Sequence, residues 1–203
     1  DSKWVAYSLS DLNFNEEIFI HAADNSKPPV NVSMHPKGDS NPVWSKDGSK
    51  LGFLSSRNNG DVDVWFVWLK KEDWEKTKLQ RDWYPEEDDK DKKESDKDKN
   101  KEEASETPAI QIDFDKIYNR LSQVTSFTGN ESDFTFDKKG EFIYYTLGSA
   151  GRMDYEVERN LYKIKWDGSD NKEIAGGNLR PNGLSLDNDG KYIYLVSSGG
   201  KLE

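Results

Sequence analysis

The chain contains no cysteine among its 203 residues, which excludes a disulfide framework and any thiolate metal site. It also lacks an apolar run near the ~18 residues that a membrane-crossing helix requires. Basic residues are outnumbered, with 29 Lys and Arg against 39 Asp and Glu, and no basic stripe is available to neutralise phosphates. The sequence therefore argues against nucleic acid as a partner and against a membrane span.

Half of the net charge of -10 is concentrated in one segment, residues 86–106. Of its 21 residues, 11 are acidic and 6 are basic, and a single alanine is its apolar member. Such a segment cannot bury enough apolar surface to offset the entropy of ordering. The preceding residues, 70–82, are good helix formers without Gly or Pro. We therefore predict a charged, partly helical insertion at 70–109.

Three stretches of the chain align without a gap, namely 32–48, 124–140 and 174–190. Each begins with a β-branched residue and carries a bulky residue twelve positions later. Each then ends four residues beyond on a glycine, which is Gly48, Gly140 or Gly190, and an apolar run follows. A recurring unit of this length indicates stacked repeats, because one unit cannot bury its own apolar face.

Each unit is predicted to form four short strands, and four strands per ~45 residues are typical of a β-propeller blade. We therefore predict an all-β fold, a partial β-propeller of four-stranded antiparallel blades. A β-sandwich and an open meander are the alternatives, but neither requires a gapless repeat. The predicted boundaries within one domain fragment, 1–203, are a partial blade at 1–33, a blade at 41–125 that contains the insertion, a blade at 133–175 and a partial blade at 183–203.

No residue is predicted to be catalytic. Gly38-Asp39-Ser40 is similar to a serine-protease motif, but a corresponding position recurs at Ser132, which favours a turn. No G-x-S-x-G elbow occurs. A general base needs a nucleophile within hydrogen-bond reach, and the sequence pairs none with His21 or His35.

No metal or cofactor site is predicted either. Asp61, Asp63 and the turn 167–170 offer oxygen ligands, but the further carboxylates of a calcium loop are missing. The aromatic residues on predicted strands are expected to form core between blades; they are Trp4, Trp44, Trp65, Trp68 and Trp166. Trp74 and Trp83 belong to the insertion, and we predict that they anchor it on a blade or on a neighbouring domain.

One unit carries a recognisable series of short motifs. These are residues 44–48 (Trp-Ser-Lys-Asp-Gly), 55–57 (Ser-Ser-Arg) and 63–65 (Asp-Val-Trp). Together they resemble the blade motif of TolB-like and tricorn-like propellers, although the later units keep less of it. The charged tract followed by 112–120 (Ile-Asp-x-Asp-x-Ile-x-x-Arg) is similar to the propeller region of bacterial tricorn-like serine peptidases.

The resemblance implies a non-catalytic propeller segment of a tricorn-like serine peptidase, which scaffolds or gates peptide access to a catalytic domain absent from this chain. A TolB-like protein-binding module with no enzymatic role is the alternative, and a dipeptidyl-peptidase-like propeller is a third. The implied partners are the rest of the parent polypeptide and peptides or proteins. The implied location is periplasmic or secreted. Unpaired strands at open blade edges also predict self-association.

Overall fold

The computed structural model describes residues 2–58, 60–83, 109–148, 157–197 and 200–202. Its strands are β1 (Trp4–Ser10), β2 (Glu16–Ala22), β3 (Val30–Asn31), β4 (Asp39–Trp44), β5 (Lys50–Ser55), β6 (Asp63–Trp68), β7 (Leu121–Gln123), β8 (Asn130–Phe136), β9 (Phe142–Gly148), β10 (Arg159–Lys165), β11 (Lys172–Ala175), β12 (Asn182–Leu186), β13 (Ile193–Ser197) and β14 (Lys201–Leu202). The helices are α1 (Lys71–Glu75) and α2 (Lys78–Trp83), with a 3-10 turn at Ile117–Asn119. The charged tract 86–106 lies outside the described residues.

The strands form four antiparallel sheets in chain order, which we call blades 1 to 4. Blade 2 (β4-β5-β6-β7) and blade 3 (β8-β9-β10-β11) are four-stranded, and blade 1 (β1-β2-β3) and blade 4 (β12-β13-β14) are three-stranded. Every strand pairs with its neighbour in sequence, so each sheet is an up-and-down meander. The predicted fold class, all-β with four-stranded antiparallel blades, is confirmed.

The repeated glycine has the same backbone role in each unit. It takes a positive φ in the hairpin between the first two strands: Gly48 (71°), Gly140 (67°) and Gly190 (74°). Three residues earlier, a side-chain oxygen accepts a hydrogen bond from the backbone N–H five residues further on: Ser45 from Lys50 (2.8 Å), Asp137 from Phe142 (3.0 Å) and Asp187 from Tyr192 (3.0 Å). The repeat in the sequence predicts the glycine, but it does not predict this side-chain hydrogen bond.

The apolar core lies between blades, in two clusters, because the strands of blade 2 are covered on both faces. Leu51 and Phe53 of β5 point into the cluster shared with blade 1. Leu54 of β5 and Phe66 of β6 point into the cluster shared with blade 3. This double burial explains why β5 and β6 are continuous apolar runs rather than alternating ones. The five strand tryptophans predicted to form inter-blade core lie in or against these clusters, as predicted.

The insertion leaves and re-enters blade 2 at a single point. The N–H of Asp113 donates to the carbonyl oxygen of Leu69 (2.9 Å), and a carboxylate oxygen of Asp113 accepts from the N–H of Lys71 (2.9 Å). Buried Arg120 donates to the carbonyl oxygens of Leu69 and Asp113. These contacts give the Ile-Asp-x-Asp-x-Ile-x-x-Arg segment a structural role: it closes the base of the insertion.

The predicted helix at 70–82 is interrupted. A capping box ends one helix and starts the next, because the N–H of Thr77 donates to Oε1 of Gln80 (2.8 Å) and the N–H of Gln80 donates to the Thr77 hydroxyl (3.3 Å). The result is two helices of five and six residues. Neither described helix approaches the length and hydropathy that a membrane-crossing helix needs.

Blade 3 packs directly against Gly52, in the middle of β5. A Cβ atom at this position would lie 2.6 Å from a ring carbon of Phe134 and 2.9 Å from ring carbons of Phe136. Both phenylalanines are buried on β8, the first strand of blade 3. Glycine is therefore required here by the neighbouring blade rather than by its own backbone.

We expect Gly52→Ala to lower the free energy of unfolding by about 1–3 kcal/mol, because two buried rings must move to admit the methyl group. Urea denaturation followed by tryptophan fluorescence measures this. Gly38→Ala is the matched control, since a Cβ there meets nothing within 4 Å, and its effect should stay within about 0.5 kcal/mol. Equal free energies of unfolding for the two variants would show that blade 3 accommodates the methyl group without loss of stability.

Candidate functional site: the polar junctions between blades

Buried polar groups collect where one blade passes to the next. The first junction, between blades 1 and 2, contains Glu17, Ser33, Asp39 and Arg57. The second junction, between blades 2 and 3, contains Asp63, Thr125 and Glu131. The gapless alignment pairs Ser33 with Thr125 and Asp39 with Glu131. The two junctions are therefore copies of one arrangement, and their differences are informative.

A hydroxyl and a carboxylate organise the first junction. The Ser33 hydroxyl donates to Oε2 of Glu17 (2.6 Å) and accepts the N–H of Ile18 (3.0 Å). Oε1 of Glu17 accepts the N–H of His35 (3.0 Å). Glu17 thus holds the start of the connection that leads from blade 1 into blade 2.

Arg57 completes the first junction. Its Nη2 donates to Oδ2 of Asp39 (2.8 Å), its Nε donates to the Ser55 hydroxyl (2.8 Å), and its guanidinium carbon lies 5.0 Å from the ring centroid of Trp65. Asp39 is fully buried. Burial raises the pKa of Asp39, while the Ser55 hydroxyl and the Arg57 guanidinium offset part of that effect. The carboxylate is thereby buried together with a countercharge.

The second junction repeats the hydroxyl but not the arginine. Thr125 Oγ1 accepts the N–H of Val64 (2.8 Å), as Ser33 does for Ile18, and Gln123 donates to Oδ2 of Asp63 (3.1 Å). Both carboxylate oxygens of Glu131 and Oδ1 of Asp63 have no hydrogen-bond partner among the described residues. Glu131 is only 2% exposed. Within the described part of the chain, no basic side chain forms an ion pair with either of these two buried carboxyl groups.

Burial without a basic partner among the described residues raises the pKa of both carboxyl groups. Burial raises the pKa of Glu131 to about 8; the nearby Thr125 hydroxyl lowers it in part, and the charges of Asp63 and Asp61 raise it further. Burial raises the pKa of Asp63 to about 6, against the hydrogen bond from Gln123. Burial therefore favours the protonated form of Glu131 near neutral pH.

The candidate catalytic residues from the sequence are not brought together as a triad. Ser40 lies at an irregularity of the β4–β5 pairing, next to the buried Asp39. Nδ1 of His35 accepts the N–H of Lys37 (3.2 Å), a local turn contact. Among the described residues, no hydrogen bond joins either histidine to a serine hydroxyl. The absence of catalytic residues stays a prediction.

The candidate metal ligands have partners within the chain. Oδ1 of Asp167 accepts the N–H of Ser169 (3.1 Å) within its turn, and Oδ2 of Asp167 pairs with Lys78 (3.2 Å). Within the described ranges, no group of three or more His, Cys, Asp or Glu side chains is arranged to hold a metal ion. Asp63 contributes to the acidic pair of the second junction instead.

Comparison with solved structures shows what this fold resembles. The chain aligns with the tricorn protease over 99% of its length, with a TM-score of 0.65 and 14% identity. It aligns with hydrazine synthase of Kuenenia stuttgartiensis (100% of this chain, TM-score 0.62, 13% identity) and with TolB of Acinetobacter baumannii (100%, 0.58, 14%). It has the fold of these propellers. The resemblance to tricorn-like and TolB-like propellers that the sequence indicated is thus confirmed at the level of fold.

The chain spans only part of each of these proteins, covering 20% of the tricorn protease chain, 29% of the hydrazine synthase chain and 41% of the TolB chain. No protein-family model matches the sequence, and no curated protein matches it. At 13–14% identity the likeness extends to the fold and not to an activity.

Sequence reasoning missed Glu131 as a residue of interest. The signal was present, because the alignment that pairs Asp39 with Glu131 also places Ser149 where the first unit has Arg57. The sequence shows that the second unit keeps the acid and lacks the arginine. The meaning of this difference becomes clear only from the structure, in which Asp39 and Arg57 form an ion pair.

We expect Glu131→Gln to stabilise the fold at pH 9 and to leave it almost unchanged at pH 5. Because the folded-state pKa is about 8 and the ordinary value is 4.5, the folded protein binds the proton more tightly than the unfolded chain. The contribution of Glu131 to stability is therefore fully present below about pH 4.5 and is lost as the pH rises through 8. Since one pKa unit corresponds to about 1.4 kcal/mol, the shift from 4.5 to about 8 sets an upper limit of about 5 kcal/mol. Relaxation of the protein and entry of water around the buried charge reduce this limit, so the gain at pH 9 should be on the order of 1–3 kcal/mol.

Urea denaturation at pH 5, 7 and 9 measures this gain. The matched control is Glu141→Gln, which makes the same chemical change at an exposed position of blade 3 and should shift stability by less than about 0.5 kcal/mol at each pH. Parallel pH profiles of Glu131→Gln and the unmodified chain would show that Glu131 is ionised in the fold at neutral pH.

Proposed function

We propose that this chain is a non-catalytic propeller segment of a tricorn-like serine peptidase, which scaffolds or gates peptide access to a catalytic domain absent from these residues. The observation that carries the proposal is the uncovered apolar face on each terminal blade. On blade 1, Val5 (49% exposed) and Leu9 lie on the face opposite the one packed against blade 2. On blade 4, Tyr194 (45% exposed) and Val196 lie opposite the buried Leu195.

These faces have the composition of the internal ones. Between blades 1, 2 and 3, side chains of the same types form the two apolar clusters. A β-propeller closes on ~4–8 blades, and each blade needs a neighbour on both sides. The end faces therefore suit further blades of the parent polypeptide, which is the partner we propose for them, and the chain serves as part of a ring.

Two further observations favour a peptidase as the parent. The alignment with the tricorn protease covers nearly the whole chain, and the segment that closes the insertion carries the motif similar to tricorn-like peptidases. By the same resemblance we propose a periplasmic or secreted location and peptides or proteins as further partners. A TolB-like protein-binding module is the second candidate, favoured by the alignment with TolB. A full-length protein with a processing-peptidase core supports the first candidate, and a propeller without a hydrolase core supports the second.

We expect the purified chain to release no peptides from casein above the buffer level, because nothing in its described residues pairs a nucleophile with a base. Fluorescence of labelled casein fragments over a day at pH 7.5 measures this. Ser40→Ala and His35→Ala serve as comparisons for any trace activity. Turnover that either substitution abolishes would overturn the proposal that the segment is non-catalytic.

We also expect the purified chain to self-associate through its end faces, and Val5→Lys or Tyr194→Lys to shift it towards the monomer. A lysine on either apolar face must lose its hydration when another blade covers it. Sedimentation velocity over a hundredfold concentration range measures the shift. Asn188→Lys, which adds the same charge at an exposed turn of blade 4, is the control. Association that all three variants leave unchanged would show that the end faces are not the contact.

A further inference from the structure

The seam between blades 2 and 3 ends in a pair of tryptophans, one from each blade. Trp68 is the last residue of β6, and Trp166 directly follows β10. Their ring centroids lie 5.4 Å apart with the planes at 74°. Phe66 makes edge contacts with both rings, at 5.2 and 6.4 Å. The two indoles form the outer end of the apolar cluster that joins these blades.

A guanidinium group occupies the space beside both indoles. The guanidinium carbon of Arg81, on α2, lies 4.3 Å from the ring centroid of Trp68 and 5.0 Å from that of Trp166. Both distances are within the ~6 Å over which a cation is attracted to an aromatic face. Nη2 of Arg81 also donates to the carbonyl oxygen of Asp73 in α1. One side chain thus connects the two helices of the insertion to two different blades.

Two other side chains of these helices, Trp74 and Lys78, are exposed. α1 contains no buried residue, and Trp74 is 42% exposed. The ion pair between Lys78 and Asp167 has its lysine mostly in solvent, where such pairs add little. On the blades, Arg81 rather than Trp74 makes the described contact. Anchoring by Trp74 on a neighbouring domain stays a prediction, and the side chain of Trp83 lies outside the described residues.

A second cation limits how firmly Arg81 is held. Buried Lys50 places Nζ 4.5 Å from the Trp68 ring centroid, with Asp47 at 3.7 Å as its acidic partner. Two positive groups share the surroundings of one indole, and each makes the other less favourable. The repulsion between Lys50 and Arg81 lowers the free energy that holds Arg81 in place.

We propose that Trp68 and Trp166 form a binding slot for the guanidinium group of an arginine side chain, and that Arg81 fills this slot from within the chain as a latch. While it is filled, the insertion fastens blade 2 to blade 3. When α2 withdraws, the slot is free for an arginine from elsewhere. The position of the insertion therefore determines whether the site between Trp68 and Trp166 can bind another arginine.

Limited proteolysis tests the latch. Chymotrypsin should cleave Arg81→Ala at Trp74 and Leu79 about tenfold faster than the unmodified chain, since loss of a partly buried cation–π contact weakens docking by about that factor. Lys78→Ala, which removes a charge from the same helix, should change the rate less than about twofold. In a double-mutant cycle with Trp166→Phe, the effects of the two substitutions should not add.

Chemical rescue tests the slot. The indole N–H signals of Trp68 and Trp166, assigned from Trp→Phe variants, should shift when millimolar L-arginine amide is added to Arg81→Ala. They should not shift in the unmodified chain, where the slot is filled. Two results would overturn the proposal: cleavage of Arg81→Ala at the unmodified rate, or equal response of both proteins to arginine amide.

Discussion

Burial of both faces of a sheet is the constraint on which this structure depends. A blade has no interior of its own, so its apolar side chains are removed from water only when another blade lies against each face. In blade 2, residues of β5 alternate between two different clusters, one on each side of the sheet. Gly52 shows how close this approach becomes, since blade 3 occupies the space of its missing Cβ.

The polar junctions are a consequence of the same stacking. Each crossing from one blade to the next brings backbone N–H groups into a region without water, and these must be satisfied. A hydroxyl does this at both described acidic junctions, through Ser33 and Thr125. The third crossing uses an amide, because Asn160 accepts the N–H of Asn178 (3.0 Å). The hydrogen-bonding requirement is constant, whereas the accompanying charge varies. Of the two acidic junctions, the first pairs its buried acid with an arginine.

The parts of the fold that repeat could be predicted from sequence, and the contacts that occur once could not. Gly48, Gly140 and Gly190 recur at fixed spacing because every hairpin needs the same backbone conformation, so the period is visible in the chain. Arg81 contacts residues of two blades that are far from it in sequence, and no local pattern marks such a contact. The acidity of Glu131 likewise arises from what surrounds it, which depends on how two blades pack.

The pairing of Leu69 with Asp113 completes the backbone hydrogen bonding of blade 2 at the base of the insertion. Both ends of the intervening polypeptide meet at one hydrogen bond of 2.9 Å, so the sheet is complete whether that polypeptide is long or short. Since the entropy of closing a loop grows only slowly with its length, a change in the length of the intervening polypeptide costs the fold little free energy. A foreign domain whose termini lie close together meets the same geometric requirement. The position between Leu69 and Asp113 is therefore a natural site for domain insertion.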